Sequence, residues 1–164
     1  MYKIFSEIPH GFQNSIALAE RIDTEDIKKN LFGGMRLPAY EVPQDYSSSY
    51  EYLVELAKQG MKQLGWDKSR PHIEALKKEL SDVKAAWDNN GYDFPTYFLV
   101  VQDYMEYAHK NGIVTGPGRG SGGGSVLLRC LGITYGPDPI EYDLLWERFL
   151  GFRSTRFINS SDFD

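Results

Sequence analysis

The feature that most constrains this chain is a glycine-rich stretch, GPGRGSGGGS, at residues 116–125. Six of its ten residues are glycine, and apolar residues flank it at 113–114 and 126–128. Glycine loses more backbone entropy on folding than any other residue, so a dense run indicates positive φ angles or a bulky ligand close to the main chain. A flexible Gly/Ser linker is the alternative. The close apolar flanks, and the Pro117 and Arg119 within the run, favour a strand–loop–helix turn.

We expect this loop to bind a phosphate group. Exposed backbone N–H groups that lead directly into a helix N-terminus form a ready anion site. Arg119 adds a forked cationic donor, and Ser121 and Ser125 add hydroxyl groups.

Other nucleotide and metal motifs fit the sequence less well. A Walker A loop needs a lysine after its glycines, and this loop contains none. Residues 118–123 match the Gly-x-Gly-x-x-Gly pattern of dinucleotide-binding folds, but the candidate ribose contact, Glu141, follows a turn rather than a second apolar strand. The histidines at 10, 72 and 109 are isolated from one another and form no zinc-hydrolase pattern.

A second chemical feature is the pair of carboxylates Asp162 and Asp164. On an extended strand, residues i and i+2 point to the same face, so the two carboxylates would converge while Phe163 turns the other way. Converged carboxylates suit Mg²⁺, which is commonly held by one or two carboxylates together with substrate phosphates. A solvated acidic tail is the alternative for this pair taken alone.

The chain before the glycine loop has helical periodicity. Residues 1–46 are predicted to be an extended lead-in with room for one helix, from about Asn14 to Ile22. Residues 47–111 are predicted to be a helical region, because apolar residues recur there at spacings of three and four in three successive stretches, 53–64, 73–87 and 98–108. The charged residues of the second stretch, Glu79 among them, are expected to form a solvated face.

Residues 112–164 are predicted to combine short strands and helices. Ile113–Thr115 is predicted to be a strand that delivers the loop, Val126–Leu131 the helix behind it, and Tyr142–Leu150 a further helix. The expected fold class is therefore α/β (α+β), helix-rich before residue 112.

Composition limits the possible functions. With 164 residues and 41% hydrophobic content, the chain can form one compact domain. A net charge of −5 argues against a chain that coats DNA by itself, since non-specific affinity comes from Lys and Arg on phosphates. The one cysteine, Cys130, lies in an apolar run and is expected to be buried. The sequence has no membrane-spanning or signal-peptide pattern, so a cytoplasmic location is expected.

Five segments of the chain occur in the order and wording of a known family: residues 97–103, 116–125, 131–134, 138–140 and 147–150. Through them the chain resembles the family C bacterial replicative DNA polymerases, the DNA polymerase III alpha subunits, closely over about residues 94–150. The resemblance implies that residues 112–164 are part of a nucleotidyltransferase palm related to that of polymerase beta, with the glycine-rich phosphate loop and the Asp-x-Asp pair. It also implies work in the cytoplasm of a bacterium or of a phage-infected host.

By position, the resemblance assigns roles to particular residues. Gly120 and Ser121 would contact the triphosphate of the incoming dNTP, with Arg119 and Arg148 as cationic neighbours. Asp162 and Asp164 would be the first two catalytic carboxylates and would bind Mg²⁺.

The chain also departs from the family pattern. Ser161 replaces a proline that usually precedes the Asp-x-Asp, and the third carboxylate, the fingers and the DNA-binding regions are missing. We therefore expect part of a split or truncated polymerase of phage origin. It should be inactive without a partner chain that carries the rest of the palm and fingers. It should act on primer-template DNA only in the complete polymerase. A non-catalytic nucleotide-binding or assembly module is the main alternative, and a small-substrate nucleotidyltransferase is another.

Overall fold

The computed structural model describes Ile8, residues 10–25, Ile27, and residues 39–91 and 93–150. The chain divides into two compact units, Met1–Arg36 and Leu37–Asp164. In the first unit, helix α1 spans Gly11–Glu20. A helix is thus present where the sequence predicted one, although it begins three residues earlier.

Helix α2 spans Ser49–Gln63 in the second unit. It begins at a local cap, because the Ser48 side chain accepts a hydrogen bond from the backbone N–H of Glu51 at 3.2 Å. The predicted apolar stripe is buried at Leu53 and Ala57 and at Met61. This first of the three predicted helices is confirmed.

Helices α3, Arg70–Asn90, and α4, Phe94–Lys110, also follow their local signals. Each carries a proline in its first turn, where the missing N–H costs nothing. Helix α3 ends at Gly91, which adopts the left-handed conformation with φ of 69°. Helix α4 begins at Asp93, whose carboxylate accepts hydrogen bonds from the N–H and the hydroxyl of Thr96. Both predicted helices are confirmed.

The core of this unit forms where α2 and α3 pack against the short helix α5, Val126–Cys130, and where α4 packs against α2 and α3. At its closest point, α2 has glycine in place of a side chain: a Cβ atom at Gly60 would lie 1.8 Å from the backbone oxygen of Cys130. Cys130 is buried, as expected, and burial raises the pKa of its thiol to about 12, so it is an inert thiol at neutral pH.

Two predicted elements of the second unit are wrong. Ile113–Thr115 is not a strand: no strand occurs anywhere in the described ranges, and Val114 is 96% exposed with no partner to pair with. Tyr142–Leu150 is not a helix either. Asp143 has a positive φ of 49°, which breaks a helical path, and only a 3-10 turn at Trp146–Arg148 follows. The helix-rich part of the predicted fold class is confirmed, whereas the β part of the palm is not found among the described residues.

Side chains of α3 bind the irregular chain that follows α4. The N–H of the Trp146 indole donates to the Asp82 carboxylate at 2.8 Å, and Lys78 forms an ion pair with Glu147. None of the helices in the described ranges has the length and apolar character needed to cross a membrane.

Candidate phosphate-binding loop

The glycine-rich stretch forms a loop that leads into α5. Residues 116–119 have no regular structure, and Gly120–Gly124 form a 3-10 turn. Gly118 and Gly120 have φ angles of 113° and 79°, in the region that favours glycine. The positive φ angles that the glycine content predicts are therefore present in the first half of the loop.

The other glycines differ in what surrounds them. A Cβ atom at Gly124 would lie 3.1 Å from the backbone oxygen of Leu145, so glycine there allows the loop to pack against the chain that follows. At Gly116 and Gly123 the φ angle is not positive, and no atom lies within 4 Å of an added Cβ. The fold of the described residues does not itself require glycine at these two positions, and the main chain there is open to a ligand.

The loop is anchored at its start. The backbone N–H of Tyr135 donates to the carbonyl of Pro117 at 3.0 Å, and the hydroxyls of Thr115 and Tyr135 share a hydrogen bond. A Cβ atom at Gly118 would lie 3.0 Å from the Thr134 methyl group. These specific contacts argue against a flexible linker.

The end of the loop is anchored by a buried carboxylate, that of Glu79 in α3. It accepts hydrogen bonds from the Ser125 hydroxyl at 2.7 Å, the Val126 N–H at 2.9 Å and the Leu127 N–H at 2.8 Å. The Ser125 oxygen in turn accepts the Leu128 N–H at 3.0 Å. The N-terminus of α5 is thus filled by the protein's own carboxylate, and the expectation that this helix end and Ser125 hold the phosphate is wrong.

Burial raises the pKa of the Glu79 carboxyl, and the charge of nearby Asp82 adds to the rise. The three hydrogen bonds at the N-terminus of α5 favour the ionised form and offset part of this shift. Glu79 is 2% exposed. Burial of its carboxyl group would destabilise the fold if these hydrogen-bond partners were lost.

The tip of the loop carries the predicted triphosphate contacts. Arg119, Gly120 and Ser121 are consecutive and exposed. The turn Trp146–Arg148, which carries the exposed Arg148, packs against the 3-10 turn of the loop. Within the described part of the chain, neither guanidinium group takes part in an ion pair or a hydrogen bond. The turn that follows Arg119 and the turn that carries Arg148 are therefore in contact, and both arginine residues are exposed.

A separate cavity of about 820 Å³ contains none of the predicted site residues. One of its wall residues is Arg129, whose Nε and Nη1 atoms are buried without a hydrogen-bond partner. Those two atoms are sealed from solvent, so a molecule in the cavity would not reach them. The cavity is lined by parts of α2 and α4 and by residues of 113–115 and 129–135.

Comparison with known proteins finds a family that matches the part of the chain containing the loop. The family model for the bacterial DNA polymerase III alpha NTPase domain matches residues 51–164. The chain belongs to the DNA polymerase III alpha family. It is 35% identical over 164 residues to DNA polymerase III subunit alpha of Borreliella burgdorferi, covering 100% of the chain. It is 38% identical over 152 residues to that of Bacillus subtilis, covering 92% of the chain, and 35% identical over 177 residues to that of Escherichia coli strain K12, covering 100%.

The chain spans a small part of these DNA polymerase III alpha relatives. It covers 13% of the Borreliella protein, 12% of the Bacillus protein and 14% of the Escherichia protein. The resemblance drawn from the sequence motifs is confirmed at the level of the family.

The predicted metal ligands of this DNA polymerase III alpha family member, Asp162 and Asp164, lie outside the described residues. Across residues 39–91 and 93–150 and the described part of the first unit, no group of three or more His, Cys, Asp or Glu side chains is placed to hold a metal ion. A magnesium site at Asp162 and Asp164 stays a prediction.

Sequence reasoning missed two long-range contacts in this region. Glu79 was expected on a solvated face, although it stands between Leu76 and Val83 of the apolar stripe, three and four residues away, and that position was the available signal. His72 is isolated from the other histidines in sequence, as stated above, and its Nε2 donates to the Asp138 carboxylate at 3.0 Å across 66 positions of sequence. No local pattern predicts that second contact.

Proposed function

We propose that this chain is part of a replicative DNA polymerase and binds the triphosphate of an incoming dNTP through the tip of its glycine loop. One observation carries the proposal. The loop is anchored at both ends while Arg119, Gly120 and Ser121 stay exposed, beside the turn that carries Arg148.

The charges of the loop support binding at its tip rather than at its end. Glu79 already uses the N–H groups of Val126 and Leu127, and its carboxylate would repel a phosphate placed there. Arg119 offers a planar fork of donors that suits phosphate oxygens, and Arg148 adds a second. The bare main chain at Gly120 allows the phosphates to approach closely.

In this proposal, the loop holds the β and γ phosphates and so presents the α phosphate to the primer. The 3′-hydroxyl of the primer gives up its proton to solvent as its oxygen forms a bond to the α phosphorus. The bond from the α phosphorus to the oxygen that bridges to the β phosphorus breaks, which releases pyrophosphate. Fixed donors around the departing phosphates stabilise the charge that develops on them.

Asp162 and Asp164 are the residues that would hold Mg²⁺ in this site. Carboxylate oxygens are the ligands that this hard cation prefers, usually together with substrate phosphates. A bound divalent cation would supply charge stabilisation for both the attacking and the leaving oxygen.

The first experiment compares Arg119→Ala with Lys110→Ala in a dNTP titration of the purified chain. Lys110 is the matched control, because its ammonium group pairs with Glu106 at 2.6 Å at an exposed helix end. Loss of a charged hydrogen bond costs about 1.5–3 kcal/mol, so Arg119→Ala should weaken binding roughly ten- to hundredfold. We expect Lys110→Ala to bind as the wild type does, and equal affinities in the two variants would contradict the loop as a phosphate site.

A second experiment separates polymerisation from a non-catalytic module. We expect the chain alone not to extend a primed template, since it spans only 12–14% of the length of its DNA polymerase III alpha relatives and part of a site is not preorganised. In a complex that supplies the remaining polymerase parts, Asp162→Asn or Asp164→Asn should nearly abolish primer extension and leave assembly unchanged, because Asn keeps the size but removes the charge that offsets the cation. Full activity in both variants would remove these residues from the site.

A further inference from the structure

The contact between α3 and the end of the glycine loop joins positions that are distant in sequence. Glu79 lies near the middle of α3, and Ser125 lies 46 residues further along the chain. Both carboxylate oxygens are engaged, Oε1 by the Val126 N–H and Oε2 by the Ser125 hydroxyl and the Leu127 N–H. A side chain at this place fixes the backbone direction of the residues that immediately follow the loop.

Hydrogen bonds from other elements consequently hold the loop at two points. Its start is tied by the hydrogen bond from the Tyr135 N–H to the Pro117 carbonyl, and its end by Glu79. The residues between these points include Arg119–Ser121, which have no hydrogen-bond partner of their own from another element of the described chain. Apart from the packing of Gly120–Gly124 against the turn Trp146–Arg148, their position depends on these two sets of hydrogen bonds.

We propose that Glu79 is a positioning residue for the triphosphate loop. This inference rests on the proposed function. Glu79 acts in two ways: it fixes the end of the loop so that the tip keeps one shape, and it fills the N-terminus of α5 so that phosphate binds at Arg119–Ser121 instead. It touches no substrate and affects phosphate binding only through the position of the loop backbone.

A purely structural cap is the competing interpretation, and the chain contains a matched example. Asp93 caps α4 by accepting the Thr96 N–H at 3.0 Å and the Thr96 hydroxyl at 2.7 Å. Both acids are partly or fully buried caps on helix N-termini, so both should matter for folding. Only Glu79 adjoins the loop, and only its loss should alter the loop.

The test compares Glu79→Gln with Asp93→Asn in the whole chain, by two measurements. The first is amide hydrogen exchange at residues 118–128, and the second is the affinity for dATP. In Glu79→Gln one acceptor oxygen is replaced by an NH₂ group that faces backbone donors, so we expect exchange in the loop to be faster by about tenfold or more. We expect dATP binding to weaken by about tenfold, which corresponds to a loss of about 1.4 kcal/mol. Asp93→Asn should speed exchange only in the first turn of α4 and leave dATP affinity within about twofold.

A milder variant covers the case in which Glu79→Gln does not fold. Ser125→Ala keeps Glu79 and two of its three hydrogen bonds, and it removes the hydroxyl that also accepts the Leu128 N–H. We expect it to shift loop exchange and dATP affinity in the same direction, by about threefold, as the loss of one or two neutral hydrogen bonds would give.

Unchanged loop exchange in Glu79→Gln, or in Ser125→Ala if Glu79→Gln does not fold, would overturn the inference and leave Glu79 a structural cap. The two proposals fail separately. Absence of dATP binding by the wild-type chain would overturn the proposed function, and the exchange comparison would still decide whether Glu79 holds the loop.

Discussion

Helix α4 and helix α5 begin in different ways. Helix α4 is capped from within its own sequence, by Asp93, three residues before the N–H that it satisfies. Helix α5 is capped partly by Ser125 and partly by Glu79, which comes from another helix 46 to 48 residues away. The first helix can form its start alone, whereas the second depends on the packed unit.

The same difference separates the two regions that contain these helices. Residues 49–110 form three helices whose ends are marked by nearby Ser, Asp, Pro and Gly residues. Residues 113–150 contain one five-residue helix and two 3-10 turns, and α3 supplies long-range contacts to them. Those contacts come from His72, Lys78, Glu79 and Asp82. The region that carries the candidate site therefore takes its shape from the helical region.

The largest expected effect comes from a substitution at the closest contact between α2 and α5. Gly60→Ala places a Cβ where the Cys130 carbonyl oxygen lies, 1.8 Å away, and the obstacle is backbone that cannot rotate aside. We expect a loss of about 3 kcal/mol or more in the free energy of unfolding, measured by urea denaturation.

Gly65→Ala is the control for that change. Gly65 has a positive φ of 71° but no atom within 4 Å of an added Cβ, so the cost should be about 1 kcal/mol from backbone strain alone. Equal losses in the two variants would show that α2 and α5 are not packed as closely as described.

A smaller effect concerns pH and the contact between α3 and the turn after α5. Burial raises the pKa of the Asp138 carboxyl, but hydrogen bonds from the Ile140 N–H, from His72 and from the Glu141 N–H outweigh it, so the pKa is lowered overall. A lowered pKa in the folded state means that this residue stabilises the fold above its unfolded pKa of about 3.9, and that this contribution is lost as the pH falls through the lower, folded value.

We expect wild-type chain to be about 1 kcal/mol more stable than Asp138→Asn near neutral pH, with the difference shrinking below about pH 4. The exposed Asp143, changed to Asn, is the control. Thermal unfolding across pH 3–7 measures both, and a difference that grows as the pH falls would contradict the sign.

The parts of the fold that could be predicted from sequence are those with local causes. The stripe of Leu53, Ala57 and Met61, the proline in the first turn of α3 and the left-handed Gly91 each act within a few residues, and the helices they predict are present. The predicted strand at 113–115 is absent, and the sequence could not show this because a strand needs a partner strand that local patterns do not reveal.

The candidate site was predicted only in part for the same reason. Glycine content indicated the loop, and the family motifs indicated Arg119, Gly120 and Ser121 as its contacts. The identity of the group at the N-terminus of α5 depends on Glu79, a charged residue whose partners lie more than 40 positions away. Its place beside the apolar stripe is the one clue in the sequence, and the pattern favours a solvated face because buried acidic side chains are uncommon.

The most direct test of triphosphate binding at the loop tip is an amide-resolved NMR titration of the wild-type chain with dATP. The difference between the two ends of the loop makes the prediction specific: the amide signals of Gly120 and Ser121 should shift on binding, while those of Val126 and Leu127 stay in place because Glu79 already holds them. Shifts centred on Val126 and Leu127, or no shift in the loop at saturating dATP, would contradict the account.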